Sequence, residues 1–437
     1  MMLKQYVNPG EQRKAQLVQR PRMEAAELAD LITTIFHRVQ SGGDEAIKEY
    51  TTQFDGVDIA ELQVTSEEIE QAALHLDDEL RRAIDVAYAN IMAFHQSQIN
   101  IPRKVETTEG VECWQESRPI ERVGLYIPGG SAPLFSTVLM LGVPARVAGC
   151  DQVVLTTPPQ QDGSVHPAII YAAQRCGIDV IIKAGGAQAI AGLVFGTTSI
   201  PPVYKIYGPG NQYVMAAKLK AMDYGVAMDL PAGPSEVLVY ADASSHPEFV
   251  AADLLSQAEH GPDSQVVLVT PDHHILEGVE NQLRLQLTEL PRRDIAERAL
   301  AHGYAVVFED VERSFDFINE YAPEHFIILS DNAEDYLPLV RNAGSVFVGH
   351  LTPESAGDYA SGTNHTLPTA AYARSYSGVS LDSFIKKITF QKISTAGIQK
   401  LGDTIMTMAR HEQLQGHAQA VKVRIDYLKT QGANEDA

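Results

Sequence analysis

The apolar positions of this chain change their period near residue 120. From 23 to about 100 they fall at helical spacing: Ala25, Leu28, Leu31, Ile32 and Ile35, then Ile69, Ala72 and Ala73, then Leu80, Ile84, Ala87 and Ile91. Thr65-Ser-Glu-Glu68 has the form of a capping box, so a helix is expected to start there. These stripes read as core faces rather than sites. Residues 102 to 118 are polar and predict a crossover or extended arm. From 122 short apolar runs of strand type recur: Arg122–Ile127, Val153–Thr156, Val180–Lys183 and Val203–Tyr207, with helical stretches between them. A second set follows at Val237–Tyr240, Val266–Val269, Ala305–Phe308, Phe326–Leu329 and Ser345–Val348. Such alternation predicts an α/β fold of parallel sheets with helices on their faces.

The two sets look related. Gly149-Cys-Asp-Gln-Val-Val-Leu-Thr-Thr-Pro158 resembles Gly261-Pro-Asp-Ser-Gln-Val-Val-Leu-Val-Thr-Pro271. In each, a helical segment ends at glycine and a strand ends at Thr-Pro, which predicts two similar domains. Residues 381–437 differ from both. Ile398, Leu401, Ile405 and Met408 form one stripe, and Val421, Ile425 and Leu428 another. Two helices cannot bury a core alone, so this tail must lie on another surface, its own subunit's or a partner's.

Composition narrows the class. With 34 basic and 56 acidic residues the net charge is −22, which disfavours nucleic acid and anionic membrane as partners. No apolar run has the length of a signal peptide or a transmembrane helix. Cys113, Cys150 and Cys176 are an odd number without paired spacing, so a reducing, cytoplasmic setting is expected.

Four stretches can carry chemistry. Pro353 to Pro368 is small and polar, with Asp358 and His365 in it, and follows the strand-like Ser345–Val348. Thr352-Pro353 predicts a helix entry, with proline at the first helical position. Gln257 and His260 lie three apart in the expected last turn of a helix that begins near Pro247 and stops at Gly261-Pro262. A helix-end histidine bonded to the last carbonyls is the plainer alternative there. With Asp358, and with His417 from the tail, they make two nitrogens and two oxygens, a set that suits zinc or another first-row divalent ion. Glu324-His325 precedes a buried strand, where a carboxylate and an imidazole can divide acid and base work. Glycine turns at Pro128-Gly-Gly130, Gly185-Gly-Ala-Gln188 and Gly208-Pro-Gly-Asn211 close strands of the first set and can build a phosphate rim from backbone N–H groups. Neither a Rossmann fingerprint nor a Walker loop is present.

Longer stretches carry a resemblance. Val123-Gly-Leu-Tyr-Ile-Pro-Gly-Gly-Ser-Ala-Pro133, Tyr207-Gly-Pro-Gly-Asn211, Asp229-Leu-Pro-Ala-Gly-Pro-Ser-Glu236, Leu254-Leu-Ser-Gln-Ala-Glu-His-Gly-Pro-Asp263, Pro323-Glu-His325 and Ser355 to His365 resemble, in order, the histidinol dehydrogenase family. The resemblance implies oxidation of L-histidinol through the aldehyde to L-histidine, the last step of histidine biosynthesis, with two NAD⁺ and one zinc ion per subunit. It implies Gln257, His260, Asp358 and His417 as zinc ligands and Glu324 and His325 as the catalytic pair. Ser235, His365 and Glu412 would contact substrate, as would the residues Gln257, His260, His325, Asp358 and His417. Tyr126, Gln188 and Asn211 would contact NAD. The implied fold is a homodimer of two incomplete Rossmann-like domains with exchanged C-terminal tails. The chain then divides into an N-terminal arm (1–22), a helical region packing with the second α/β domain (23–118), a first, NAD-binding α/β domain (119–234), a second α/β domain (235–380) and a swapped helical tail (381–437).

The chemistry is consistent with those roles. His325 can take the alcohol proton, and Glu324 can activate the water that hydrates the aldehyde. Aldehyde oxidation through a cysteine nucleophile is the other common route. Cys113 and Cys150 sit in extended or apolar contexts without a neighbouring base, so a structural part is expected for both. A zinc hydrolase would use the same metal and Glu324 without NAD. A pseudoenzyme is disfavoured by the intact set of acid, base and ligands.

Overall fold

The computed structural model describes residues 2–20, 25–129, 132–231 and 233–435. Gly130 of the first glycine turn lies outside them, as do Ser131 and Ala232 of the matched stretches. The chain divides into two compact units, Met1–Gln98 with Ile120–Phe384, and Ile99–Pro119 with Ile385–Ala437.

Two parallel sheets organise the first unit. One has five strands in the order Val180–Lys183, Gln152–Thr157, Arg122–Tyr126, Lys205–Tyr207, Ala227–Met228. The other has six, in the order Lys4–Val7, Tyr304–Val307, Gln265–Thr270, Glu236–Ala241, His325–Leu329, Ser345–Val348. Without Lys4–Val7 both sheets run third, second, first, fourth, fifth in chain order. That is a Rossmann order lacking its sixth strand, and it extends the likeness of the two Thr-Pro segments to whole domains. The arm expected over 1–22 thus supplies an edge strand, paired in parallel with Tyr304–Val307.

The strands form where the apolar runs stand, because a sheet covered on both faces needs continuous apolar strands. Glu236–Ala241 and His325–Leu329 are buried at every position. Side chains above and below each sheet make two core clusters per domain.

The helical region corrects one expectation. It packs on the first sheet, not the second. Ile32, Ile35, Phe36 and Val39 of Ala25–Asp55 join Ile190, Leu193 and Val194 of Gly186–Phe195 in one cluster. Ile84, Ala87 and Ile91 of Asp78–Gln96 join the helix Phe135–Ala148 in the other. The Ala25–Asp55 helix breaks at Gly43, whose φ of 55° a residue with a side chain would resist. The capping box at Thr65 is present in full, with Glu68 N on Thr65 Oγ1 and Thr65 N on Glu68 Oε2.

The second unit is more than two helices. The polar stretch before residue 120 forms Val105–Thr108 and Val111–Pro119, and Ile385–Ile393 pairs antiparallel with the latter along nine residues. Helices Thr395–His411 and Gln415–Glu435 follow. Their contact is small: Met406, Ala409 and Ala418 are buried, with Val421 and Ile425 against them. Met408, expected on the inner stripe, is exposed. The stripe drifts by one position along the helix, as a 3.6-residue turn requires, and reaches Met406 and Ala409 instead.

Candidate active site and metal centre

The first sheet keeps its crevice at the carboxyl ends of its strands, where the chain order reverses between Arg122–Tyr126 and Lys205–Tyr207. A cavity of about 1220 Å³ opens there. Tyr126, Gln188, Gly208 and Asn211 line one wall, and Ser235, His260, Glu324 and His365 line the other. Gly208 has φ 126°, and a Cβ on it would collide with the Tyr126 carbonyl, so the turn beside the cavity requires glycine. The Tyr126 hydroxyl accepts the Gly186 N–H at 3.1 Å. Both amide atoms of Gln188 are enclosed without a protein partner. Asn211 Oδ1 caps the helix Gln212–Ala221, accepting from Tyr213 N and Val214 N.

The second sheet contributes from its other end. Glu324 and His325 stand at the start of one strand and Glu236 at the start of its neighbour. The carboxyl-end crevice of this sheet is filled by its own hydrogen bonds: Asp242 accepts from Ser244 and Ser330 Oγ, and Ser245 Oγ donates to Leu329 O. The cavity thus lies after the strands of the first sheet, whereas Glu324 and His325 stand at the start of theirs.

Glu236 fixes both Glu324 and His325. Its N–H donates to Glu324 Oε2 at 2.8 Å, and its carbonyl lies 3.1 Å from His325 Nδ1. A carbonyl only accepts, so Nδ1 carries a proton, and in the neutral form of the ring it is Nε2 that holds the lone pair. Nε2 is enclosed without a hydrogen bond and lies 3.6 Å from Asp358 Oδ1. The Glu236 side chain is itself held by Arg20, through both carboxylate oxygens at 3.0 and 2.9 Å, and by Ala370 N. Arg20 stacks on the Tyr321 ring.

Charge is dense here. Burial pushes the Glu324 carboxyl up to about 8, against the pull of His325 beside it. Burial works against a charged His325 as well, but Glu354, Glu324 and Asp358 raise it well above the usual imidazole value. Burial also raises Asp358, but its contact with His325 and the further pull of His365 and His260 bring it below the ordinary carboxylate value. Burial lowers His260 and His365, favouring their neutral forms, the form in which an imidazole such as His260 can bind a metal.

His260, Glu354 and Asp358 place one ligand atom each within 4.8 Å of one another. Gln257 ends the same helix that His260 follows, and both its amide atoms are buried and unpartnered. Orphaned oxygens beside neutral imidazoles fit a divalent cation. The helix Pro247–Ala258 closes before His260, which lies in the turn after Glu259. Pro353 caps the helix Glu354–Tyr359 from outside rather than entering it, while Thr352 Oγ1 bonds to Val348 O. His365 faces the cavity with both nitrogens engaged, Nδ1 on the Asp358 carbonyl at 3.0 Å and Nε2 on Thr137 Oγ1 at 3.1 Å. His417 and Glu412 belong to the second unit and are exposed there.

Three residues escaped the sequence pattern. Glu354, buried with both oxygens unpartnered, looks like a helix-opening glutamate in sequence. Leu31 and Phe54, from helices read as core, line the cavity. Only their place beside a crevice on another element reveals them. Burial pushes the Cys150 and Cys176 thiols up to about 12, which disfavours their thiolates.

The histidinol dehydrogenase family pattern matches residues 18–425. The chain belongs to that family. It is 54% identical to the histidinol dehydrogenase of Bacteroides thetaiotaomicron, over 98% of this chain and 100% of that one. It is 50% identical to that of Salmonella typhimurium, over 96% of each. The crystal structure of histidinol dehydrogenase from Elizabethkingia anophelis superposes with a TM-score of 0.96 at 53% identity, covering 98% of this chain and 99% of that one. Among the described residues, no helix is long and apolar enough to cross a membrane.

Proposed function

We infer that this chain oxidises histidinol to histidine, the closing reaction of histidine biosynthesis. Family membership over nearly the whole chain supports the reaction. The observation that carries the mechanism is the His325 ring, fixed by the Glu236 carbonyl with Nε2 free and enclosed.

In its neutral form His325 takes the hydroxyl proton at Nε2 as the carbinol carbon gives up a hydride, leaving the aldehyde. Glu324 as carboxylate, held at Oε2 by Glu236 N, takes a proton from water as the water oxygen adds to the aldehyde carbon, and His325 returns its proton to the aldehyde oxygen, which resets the ring. The resulting gem-diol gives up a second hydride and a second hydroxyl proton, and the acid results. NAD⁺ would supply the hydride acceptor in both oxidations, and Tyr126, Gln188 and Asn211 of the cavity wall would hold it. Zinc would supply a fixed positive charge for binding the substrate. Gln257, His260 and Asp358 would hold it, with the partner subunit's His417 as the fourth ligand. Ser235 and His365 would contact the substrate from the same chain, joined by the partner subunit's Glu412.

The homodimer with exchanged tails is supported by the second unit's slight helical core and by its carrying two of the site's residues. A cytoplasmic setting agrees with three free cysteines and a biosynthetic reaction. The reading is tested by adding histidinol and NAD⁺ and identifying products. NADH and histidine support it. Hydrolysis of an amide substrate without NADH would return the hydrolase alternative.

A further inference from the structure

One acidic group of the cavity has no part in the steps above. Asp55 ends the helix Ala25–Asp55 and lines the cavity beside Phe54 and Leu31. Its Oδ2 is enclosed and has no hydrogen-bond partner. Its carbonyl accepts from Gln161 Nε2 at 3.3 Å, which ties it to the loop after the strand Gln152–Thr157. Burial raises the carboxyl, as expected of an acceptor lacking donors. The Gln188 amide, which also lines the cavity, is likewise enclosed and unpartnered at both atoms. A cleft with this many orphaned polar atoms is shaped for a polar ligand.

The position matters as much as the orphan. Nicotinamide must meet the reacting carbon at Glu324 and His325, on the second-sheet wall. The adenosine half then lies along the first-sheet wall, where Asp55 stands. Rossmann domains commonly hold that ribose with an acid about 20 residues beyond the first turn, near the end of the second strand. Here the second strand runs into Thr157-Pro-Pro-Gln-Gln161, without an acid. The next one, Asp162, is exposed and already accepts from Ser164 N and Oγ.

We propose that Asp55, from outside the sheet, accepts the adenosine ribose hydroxyls and so selects NAD⁺ over NADP⁺. Its carboxylate can take a hydrogen bond from a ribose hydroxyl. A 2′-phosphate removes one donor and brings a second negative charge against Asp55. The proposal rests on the NAD⁺ reading given above.

Direct binding of NADH and of NADPH, followed by the fluorescence of the reduced nicotinamide, tests it without turnover. Wild type should bind NADH much the tighter. Asp55→Asn keeps the size of the side chain and should weaken NADH roughly 10- to 100-fold, the worth of a hydrogen bond to a charged group. NADPH should change little, so the preference collapses by at least about tenfold on the same basis. Asp55→Ala should behave alike, with thermal melts of both variants showing the fold kept. Gln188→Ala, by contrast, should weaken both dinucleotides equally. Unchanged NADH affinity in a folded Asp55→Asn, or equal losses for NADH and NADPH, would overturn the proposal. Wild type that binds neither dinucleotide would overturn the NAD⁺ reading itself, and this inference with it.

Discussion

His325 Nδ1 lies 3.1 Å from the Glu236 carbonyl oxygen, and the Glu236 N–H lies 2.8 Å from Glu324 Oε2. One peptide segment therefore holds both the His325 ring and the Glu324 carboxyl. Behind that segment, Arg20 grips the Glu236 carboxylate in a pair that is 5% and 0% exposed.

Arg20 should thus matter without touching substrate. Arg20→Lys keeps the charge but loses the two-pronged grip and the stack on Tyr321. It should lower the melting temperature and reduce kcat while KM stays near wild type. Arg20→Ala leaves a buried carboxylate alone and should cost about 3–5 kcal/mol of stability. Equilibrium denaturation with steady-state kinetics checks both. Wild-type kcat in a folded Arg20→Lys would show that the pair only stabilises.

Metal content separates the acids. His260→Ala and Asp358→Ala should lose zinc and activity together. Glu354 Oε1 lies 3.6 Å from His325 Nδ1, whereas Asp358 Oδ1 lies 3.6 Å from Nε2. Glu354→Gln should therefore keep its zinc and lose roughly 10- to 100-fold in turnover, as for a group that orients another. Metal analysis of the purified variants decides. Zinc lost from Glu354→Gln would make Glu354 a ligand.

Acid should loosen the loop that carries His365. His95 Nδ1 meets Gln98 Oε1 at 3.0 Å, so Nε2 is left to accept from Asn364 Nδ2 at 3.4 Å. Burial lowers the His95 pKa. A depressed folded value adds stability above the unfolded imidazole pKa of about 6.5, and that stability is lost as pH falls through the folded value. Protonation puts a donor against a donor. Melting temperatures should fall from pH 7 to 5 more steeply in wild type than in His95→Asn. Parallel curves would remove His95 from the account.

Exchanged tails predict complementation. Gln257→Ala and His417→Ala should each be nearly inactive alone. In a mixed dimer one site collects both defects and the other none, so random mixing should restore roughly a quarter of wild-type activity by two-fold symmetry. Mixed dimers confirmed by mass yet inactive would return His417 to its own chain's site.

Much of this was legible in sequence. Continuous apolar runs marked the strands because both sheet faces are covered, and Thr65 announced its helix by a local rule. The partner of the helical region was not legible, because an apolar stripe states that it packs and not on what. Glu324 and His325 were visible as a pair before a strand. That they work from the amino end of the second sheet, opposite the carboxyl end of the first, depends on how two repeats face each other. Glu354 and Asp55 carry no local signal. Each is an ordinary helix-terminal acid until its surroundings show that it lacks a partner.

In the proposed function one site performs both oxidations, with His325 serving each and Glu324 the hydration between them. The direct measurement is NADH formed per histidinol consumed, with histidinaldehyde and histidine quantified. Wild type should give two NADH and histidine. Glu324→Gln should approach one NADH, with aldehyde accumulating, and should oxidise supplied histidinaldehyde far more slowly than wild type does. His325→Asn should slow both oxidations. Two NADH per histidinol from Glu324→Gln, with aldehyde oxidation at the wild-type rate, would contradict it.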